Sequence, residues 1–275
     1  MGSAGSIVGN IKWGELMELT VIKIGGNVID DKAKLGSFLQ AFAGVAGYKI
    51  LVHGGGKVAT DIGKTLGIEP NYVNGRRITD EATLELVTMV YGGLINKNIV
   101  AQLQAEGCNA IGLTGADGAV LPAHKRPVKD VDYGFVGDVK SEQVNGLLIK
   151  ALLQNGLTPV FAPLTYGQGS LLNTNADTIA QEVSKAMAKY MPVQLIYCFE
   201  KKGVLLDAED DDSAINNITA NDMGELKENG IISGGMIPKL ENALEAVAQG
   251  VQKVVIGHAE ELAGLISGNA GTSIT

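Results

Sequence analysis

A short apolar run that ends in glycines and opens into helical spacing recurs along this chain, and that recurrence constrains the fold more than any other feature. Residues 19–24 (Leu-Thr-Val-Ile-Lys-Ile) lead into Gly25-Gly26, and residues 49–53 lead into Gly54-Gly55-Gly56 ahead of a helix. Similar runs at 110–113, 158–162, 194–199 and 253–256 alternate with helical spacing at 32–45, 58–66, 80–104, 142–155, 176–190, 220–229 and 237–249. Uninterrupted apolar strands need cover on both faces, and strand–helix alternation builds a parallel sheet. The expectation is therefore an α/β protein, a three-layer αβα sandwich around a mainly parallel open sheet.

Punctuation supports the alternation. Asp80 and Asn221 offer side chains near helix starts, and Gly107 and Gly156 follow helix ends. From 117 to 139 the helical spacing stops, and Gly118, Pro122, Pro127, Gly134 and Gly137 break short runs at 119–122 and 135–139, which predict hairpins. The acidic run at 209–212 predicts an exposed loop, because adjacent like charges resist burial.

Composition excludes several function classes. A chain of 275 residues with 45% hydrophobic content can bury a full core. A net charge of -8 repels a phosphate backbone, and no stripe of Lys and Arg offsets it, so no nucleic-acid partner is expected. No apolar run approaches the roughly 18 residues that a membrane span needs, so no membrane partner is expected either. Cys108 and Cys198 both lie in apolar, strand-like runs, which predicts buried thiols in a reducing, cytoplasmic setting. Residues 1–16 are Gly- and Ser-rich without the pattern of a secretory signal; they read as a tag-like or irregular segment, with Met17 as the natural start and one domain over 17–275.

Three glycine turns mark where a ligand would sit: Gly25-Gly26, Gly54-Gly55-Gly56, and Ser233-Gly234-Gly235 ahead of the helix at 237. At the carboxyl ends of parallel strands, glycine lets backbone N–H groups approach an anion, and a following helix adds its positive end. A phosphate or carboxylate ligand is implied. Two familiar nucleotide motifs fail. Gly63-Lys64-Thr65 imitates the end of a P-loop, but Val58 stands where that loop needs glycine, and no GxGxxG follows the first strand.

Taken in order, Lys23-Ile24-Gly25-Gly26, Val52-His53-Gly54-Gly55-Gly56, Asn74-Gly75-Arg76-Arg77-Ile78-Thr79, Asn173-Thr174-Asn175-Ala176-Asp177 and Gly235-Met236-Ile237-Pro238-Lys239 resemble the signature of the N-acetylglutamate kinases, a branch of the amino-acid kinase family. The resemblance spans about residues 19–275. It implies the amino-acid kinase fold, with an acylglutamate-binding lobe at about 17–170 and an ATP-binding lobe at about 171–275. The implied reaction is ATP-dependent phosphorylation of the γ-carboxylate of N-acetyl-L-glutamate in arginine biosynthesis. The motifs bind the glutamate part common to N-acetyl and N-succinyl substrates, so the acyl group stays open. Other amino-acid kinases and a non-catalytic amino-acid sensor are the alternatives.

The resemblance also assigns roles. Lys23 lies beside the transferring phosphoryl group, Lys239 approaches the ATP phosphates from the other side, and Asp177 holds both ammonium groups. Gly55 and Gly56 offer N–H groups to the γ-carboxylate. Arg77 grips the α-carboxylate, as a planar guanidinium can do with two parallel bonds, and Asn173 bonds nearby. Gly25, Gly26, Glu200 and Gly203 meet the nucleotide, whose Mg²⁺ arrives with the phosphates, so no protein metal ligand is named. A γ-carboxylate is already ionised at neutral pH, so no general base is required and His53 reads as structural. The segment Phe199-Glu200-Lys201-Lys202-Gly203 departs from the usual nucleotide loop of the family, and Ala116 replaces a common lysine. The family's arginine-inhibited hexamers carry an extra N-terminal helix, which Gly2, Gly5, Gly9 and Gly14 oppose here, so a homodimer insensitive to arginine is expected.

Overall fold

Eight strands form one sheet: β1 (Leu19–Ile24), β2 (Tyr48–His53), β3 (Ala110–Leu113), β4 (Thr158–Phe161), β5 (Val193–Phe199), β6 (Asn217–Ile218), β7 (Lys253–His258) and β8 (Thr272–Ile274). The computed structural model describes residues 17–275 except Asn74, Ala208, Ser233 and Gly235; the expectation for residues 1–16 and parts of two glycine-bearing motifs lie outside the described residues. The strand order is β6-β8-β7-β5-β1-β2-β4-β3, parallel throughout except where β8 runs antiparallel to β7. The strands drawn from the first 161 residues stand on one side of the β1–β5 junction and the later ones on the other. Connections diverge at that junction, which opens a crevice at the carboxyl ends of the strands.

Alternation along each strand divides the core into two layers. Val21, Val52, Leu195 and Val254 face one side, where α6 (Gly146–Gln154), α7 (Ala176–Met187) and α9 (Met236–Ala248) pack through Ile149, Ile179, Val183 and Leu240. Ile22, Leu51, Ile196 and Val255 face the other, against α2 (Lys32–Ala43), α5 (Asn96–Ala105) and α10 (Leu262–Ser267) through Phe38, Phe42, Leu103 and Leu265. Each fully buried Leu or Ile contributes about 2 kcal/mol of transfer free energy, so both layers are needed to hold the sheet. The expected three-layer sandwich is what the chain forms.

Local signals hold in most places. Asp80 caps α4 (Glu81–Val87) by accepting from Thr83 N at 2.8 Å, and Gly107 and Gly156 take φ of 75° and 73°. Cys108 and Cys198 are buried and free, and residues 209–212 are exposed.

Four expectations need correction. The helix at 80–104 is not uniform: between α4 and α5 the segment Thr88–Ile95 is wound as a π-helix, which spacing alone cannot distinguish from α. The run at 119–122 is not a strand. Residues Asp117–Ala119 form a 3₁₀ turn, and the hairpin pairs Ala123–Lys125 with Gly137–Val139 instead. The helix expected from 142 begins at Gly146, where Asn145 accepts from Leu148 N at 3.1 Å. The helix expected from 220 begins at Met223 (α8, Met223–Glu228), and Asp222, not Asn221, makes the side-chain bond there, accepting from Thr219 N at 2.7 Å.

Candidate active site

Lys23 is the penultimate residue of β1, and alternation points it to the α7 face, where it is 8% exposed. The first turn of α7 is fixed by Asn175, whose side chain accepts from Asp177 N at 2.7 Å and Thr178 N at 3.4 Å. This cap sets Asp177 opposite the strand, and Lys23 Nζ lies 2.7 Å from Asp177 Oδ1. The Tyr197 hydroxyl donates to the Asp177 carbonyl at 3.2 Å, which ties the helix start to β5.

Two cavities meet at this ion pair. The first, of about 300 Å³, is bordered by Gly55, Gly56, Arg77 and Asn173 together with Lys23, Gly25, Gly26 and Asp177. The second, of about 410 Å³, shares Lys23, Gly25, Gly26 and Asp177 and adds Phe199, Glu200, Gly203 and Lys239. All eleven residues expected from sequence to form the site therefore border one cavity or the other, and four border both.

The first cavity is built from groups that hold one another. Gly55 has φ 147° and ψ 13°, and a Cβ there would lie 2.3 Å from Ile95 Cδ1 and 3.2 Å from Tyr91 Cδ1, both on the π-helical segment. Only glycine fits. It precedes α3 (Gly56–Thr65), whose first turn has no side-chain cap, so its N–H groups are free to meet an anion. Arg77, 8% exposed, donates from Nη2 to Gly56 O at 2.9 Å, to Thr60 Oγ1 at 2.7 Å and to the Tyr72 hydroxyl, and its guanidinium sits 4.8 Å from the Tyr72 ring centre. Arg76, one residue earlier, is exposed. Asn173 donates from Nδ2 to Thr79 Oγ1 at 3.0 Å.

His53 supports the glycine turn from below. It is fully buried; its Nδ1–H donates to Gly54 O at 2.7 Å, so Nε2 is the acceptor for Asn96 Nδ2 at 3.2 Å. Burial pushes the imidazole pKa down to about 4, against which the bond to Gly54 acts only in part. The ring is neutral and structural.

The second cavity is organised by an aromatic ring. Phe199 ends β5, with Lys239 Nζ 4.0 Å and Lys23 Nζ 5.4 Å from its ring centre. The expectation that Asp177 holds both ammonium groups is half corrected. Lys23 pairs with it directly, whereas among the described residues Lys239 has no carboxylate within 4.0 Å and rests on the ring. Burial, with Lys23 nearby, holds the Lys239 pKa below the ordinary lysine value even though Asp177 opposes the shift. Gly203 is required by packing: a Cβ would lie 2.6 Å from Thr272 Oγ1, the atom that accepts from Val204 N at 2.8 Å. Glu200 is exposed at the rim. It also borders a larger recess of about 720 Å³ whose walls carry Asp30, Asp31 and Glu260 together with Lys34 and Lys57.

Sequence reasoning missed Phe199 as a platform, Tyr72 and Thr60 as supports of Arg77, and the π-helical residues that demand Gly55. Only Phe199 carried a signal, as a departure from the expected nucleotide loop. No helix among the described residues is long and apolar enough to cross a membrane.

Known proteins resemble this chain along most of its length. An acetylglutamate kinase of Phocaeicola vulgatus is 58% identical over 258 residues, covering 94% of this chain and 98% of the relative. The acetylglutamate kinase of Cytophaga hutchinsonii is 56% identical over 256 residues, covering 92% and 96%. The crystal structure of smu.665 from Streptococcus mutans UA159 superposes with a TM-score of 0.73 at 31% identity, covering 94% of this chain and 98% of that one. The profile of the Amino acid kinase family matches residues 18–258, the span that carries the crevice and the residues facing it. With two cavities joined at a lysine–aspartate pair and relatives of one kind along almost its whole length, the chain belongs to the amino acid kinase family.

Proposed function

We propose that this chain transfers the γ-phosphoryl group of ATP to the side-chain carboxylate of an N-acylated L-glutamate, the reaction that the names of its relatives give for N-acetyl-L-glutamate. The observation that carries the reading is the pair of cavities meeting at Lys23 and Asp177, one fitted with a buried guanidinium and the other with Lys239. Each reactant has its own recess, and the reacting ends meet where cations converge.

The amino-acid substrate lies in the first cavity with its α-carboxylate on Arg77 and Asn173 and its γ-carboxylate toward Lys23 and the N–H groups of Gly55 and Gly56. ATP lies in the second, its phosphates toward Lys239, Gly25 and Gly26, with Glu200 and Gly203 at the nucleoside end. A γ-carboxylate oxygen attacks the γ-phosphorus as the bond to the β,γ-bridging oxygen breaks, giving an acyl phosphate and ADP. Two anions must approach for this, so charge neutralisation and alignment carry the catalysis. Lys23 offsets charge on the transferring group, Lys239 offsets it on the leaving side, and Asp177 fixes Lys23. Mg²⁺ arrives on the nucleotide. The acid nearest the phosphates, Asp177, is engaged by Lys23 at 2.7 Å, which leaves phosphate oxygens and water as the ion's ligands.

The lobes divide as the crevice does, with residues of about 17–170 supplying most of the acylglutamate side, about 171–275 the nucleotide side, and 173–178 the seam. The assembly is a homodimer insensitive to arginine, working in the cytoplasm. Initial rates of ADP formation with N-acetyl-L-glutamate, with Lys239→Ala as the blank, test the reading. Turnover that disappears in the variant supports it; absence of turnover by the native chain with any N-acylglutamate overturns it.

A further inference from the structure

Lys239 stands over the Phe199 ring with no carboxylate within 4.0 Å among the described residues, so its place is set by the helix that carries it. That helix, α9, is tied to α7, which Tyr197 in turn pins to β5. Asp177, Gln181 and Lys185 follow at four-residue steps along α7 and share one face. Gln181 Nε2 donates to the backbone O of Asn242 at 3.0 Å, and Lys185 Nζ donates to Glu245 Oε1 at 3.2 Å. Asn242 and Glu245 lie three and six residues beyond Lys239. The helices are therefore joined by two rungs, and the next position toward the crevice holds Asp177 on one and Lys239 on the other, both bordering the second cavity. Glu182 completes the network: Oε1 accepts from Lys185 at 2.7 Å, and Oε2 accepts from Ser141 N at 2.6 Å, two residues past the hairpin strand that ends at Val139. Gln181, Glu182 and Lys185 are buried, and Glu245 is half-exposed.

We propose that Gln181 and Lys185 are positioning residues, which hold α9 in register on α7 and so place Lys239 for phosphoryl transfer. The proposal rests on the phosphoryl-transfer reading. The core layer around the two helices includes the small residues Ala180, Ala243 and Ala246, whose burial stabilises contact without giving it a direction. A hydrogen bond has direction, and one made to the Asn242 carbonyl fixes the backbone of α9 itself. A buried ion network adds little stability over apolar groups of the same shape. Its place between the two helices that bring charge to the second cavity therefore points to alignment. Displacement of about 1 Å at a reacting group can cost about 100-fold in rate, so modest rungs carry a large effect.

The test measures kcat, the KM for N-acetyl-L-glutamate and the melting temperature of Gln181→Met, Glu245→Ala and Glu245→Gln against the native chain. Methionine keeps the volume of glutamine, and Glu245→Ala leaves Lys185 paired with Glu182, so neither strands a buried charge and the melting temperature is expected to hold. The kcat is expected to fall by about tenfold in Gln181→Met and by about fivefold in Glu245→Ala, while the KM for N-acetyl-L-glutamate stays within about twofold, because the first cavity is untouched. Glu245→Gln, which keeps an oxygen for Lys185, is expected to recover most of the loss. Because Glu245 is half-exposed, its variants decide the matter even if Gln181→Met does not fold. Native kcat in Gln181→Met and Glu245→Ala overturns the proposal and leaves the kinase reading intact. So does a fall in kcat that tracks a fall in melting temperature, a rise in the KM at unchanged kcat, or a Glu245→Gln variant as impaired as Glu245→Ala. Absence of turnover by the native chain with any N-acylglutamate overturns the kinase reading and this proposal together.

Discussion

The two cavities that meet at Lys23 are held in opposite ways. In the first cavity, proposed for the amino acid, each group is already engaged: Arg77 by Gly56, Thr60 and Tyr72, Asn173 by Thr79, Gly55 by the packing of Ile95 and Tyr91, and His53 beneath the glycine turn by Gly54 and Asn96. In the second, proposed for the nucleotide, Lys239 rests on an aromatic face and Glu200 is exposed. A receptor for a small flexible acid gains by being rigid before the ligand arrives, because the ordering cost is met in folding. A site for a polyanion gains by leaving cations under-neutralised, because the ligand then supplies the counter-charge.

The sharpest test of that contrast is Lys239→Ala, which is expected to lower kcat by about 1,000-fold while leaving the melting temperature nearly unchanged, since the lysine balances charge on ATP and not on the protein. A large loss of stability would show that the nucleotide side is as tightly coupled as the other. Arg77→Lys is expected to raise the KM for the acylglutamate by about 100-fold with a smaller effect on kcat, because Nη2 alone is committed to Gly56, Thr60 and Tyr72, and an ammonium has no second nitrogen left to offer a carboxylate. If kcat falls and KM does not, Arg77 acts at the reacting end and the assignment of the two ends is wrong.

Rigidity under the glycine turn has its own signature in pH. The native pKa of His53 is about 4, below its unfolded value, so the unfolded chain takes up a proton that the native chain refuses. Stability from this residue is therefore fully present above the unfolded pKa of about 6.5 and is lost as pH falls toward the native value, with a total of about 3 kcal/mol. Denaturant midpoints between pH 7.5 and 4.5 should fall more steeply in the native chain than in His53→Gln, and equal slopes would remove His53 from the account. The smallest effect expected is that of Phe199→Leu, about fivefold on the KM for ATP, from loss of the ring beneath the ammonium groups. An effect larger than that of Arg77→Lys would mean that the ring positions both lysines for the reaction.

Most of the architecture could be read from the chain because it is written in periodicity: the inner strands and the long helices are repeated patterns, and their glycine ends follow from turn geometry. The candidate site's charged members were legible for another reason, since Lys23, Asp177, Lys239 and Arg77 lie within the ordered motifs that resemble those of the N-acetylglutamate kinases. The illegible parts have no period. Asn217–Ile218 and Thr272–Ile274 are too short to show alternation, and they become strands only because a neighbouring edge is available. The π-helical winding of Thr88–Ile95 has the composition of any apolar helix. The ring under Lys239 and the hydroxyls behind Arg77 are contacts across distant segments, fixed by tertiary packing.

The last strand also joins two places that look unrelated. Thr272 accepts from Val204 N and leaves room for nothing larger than glycine at 203, while Thr275 N donates to Ile218 O at 3.2 Å. The strand at 272–274 is thus a strut for the segment that carries Gly203. For anyone engineering this protein, the consequence is that a substitution at Thr272 acts on the wall of the second cavity without bordering it.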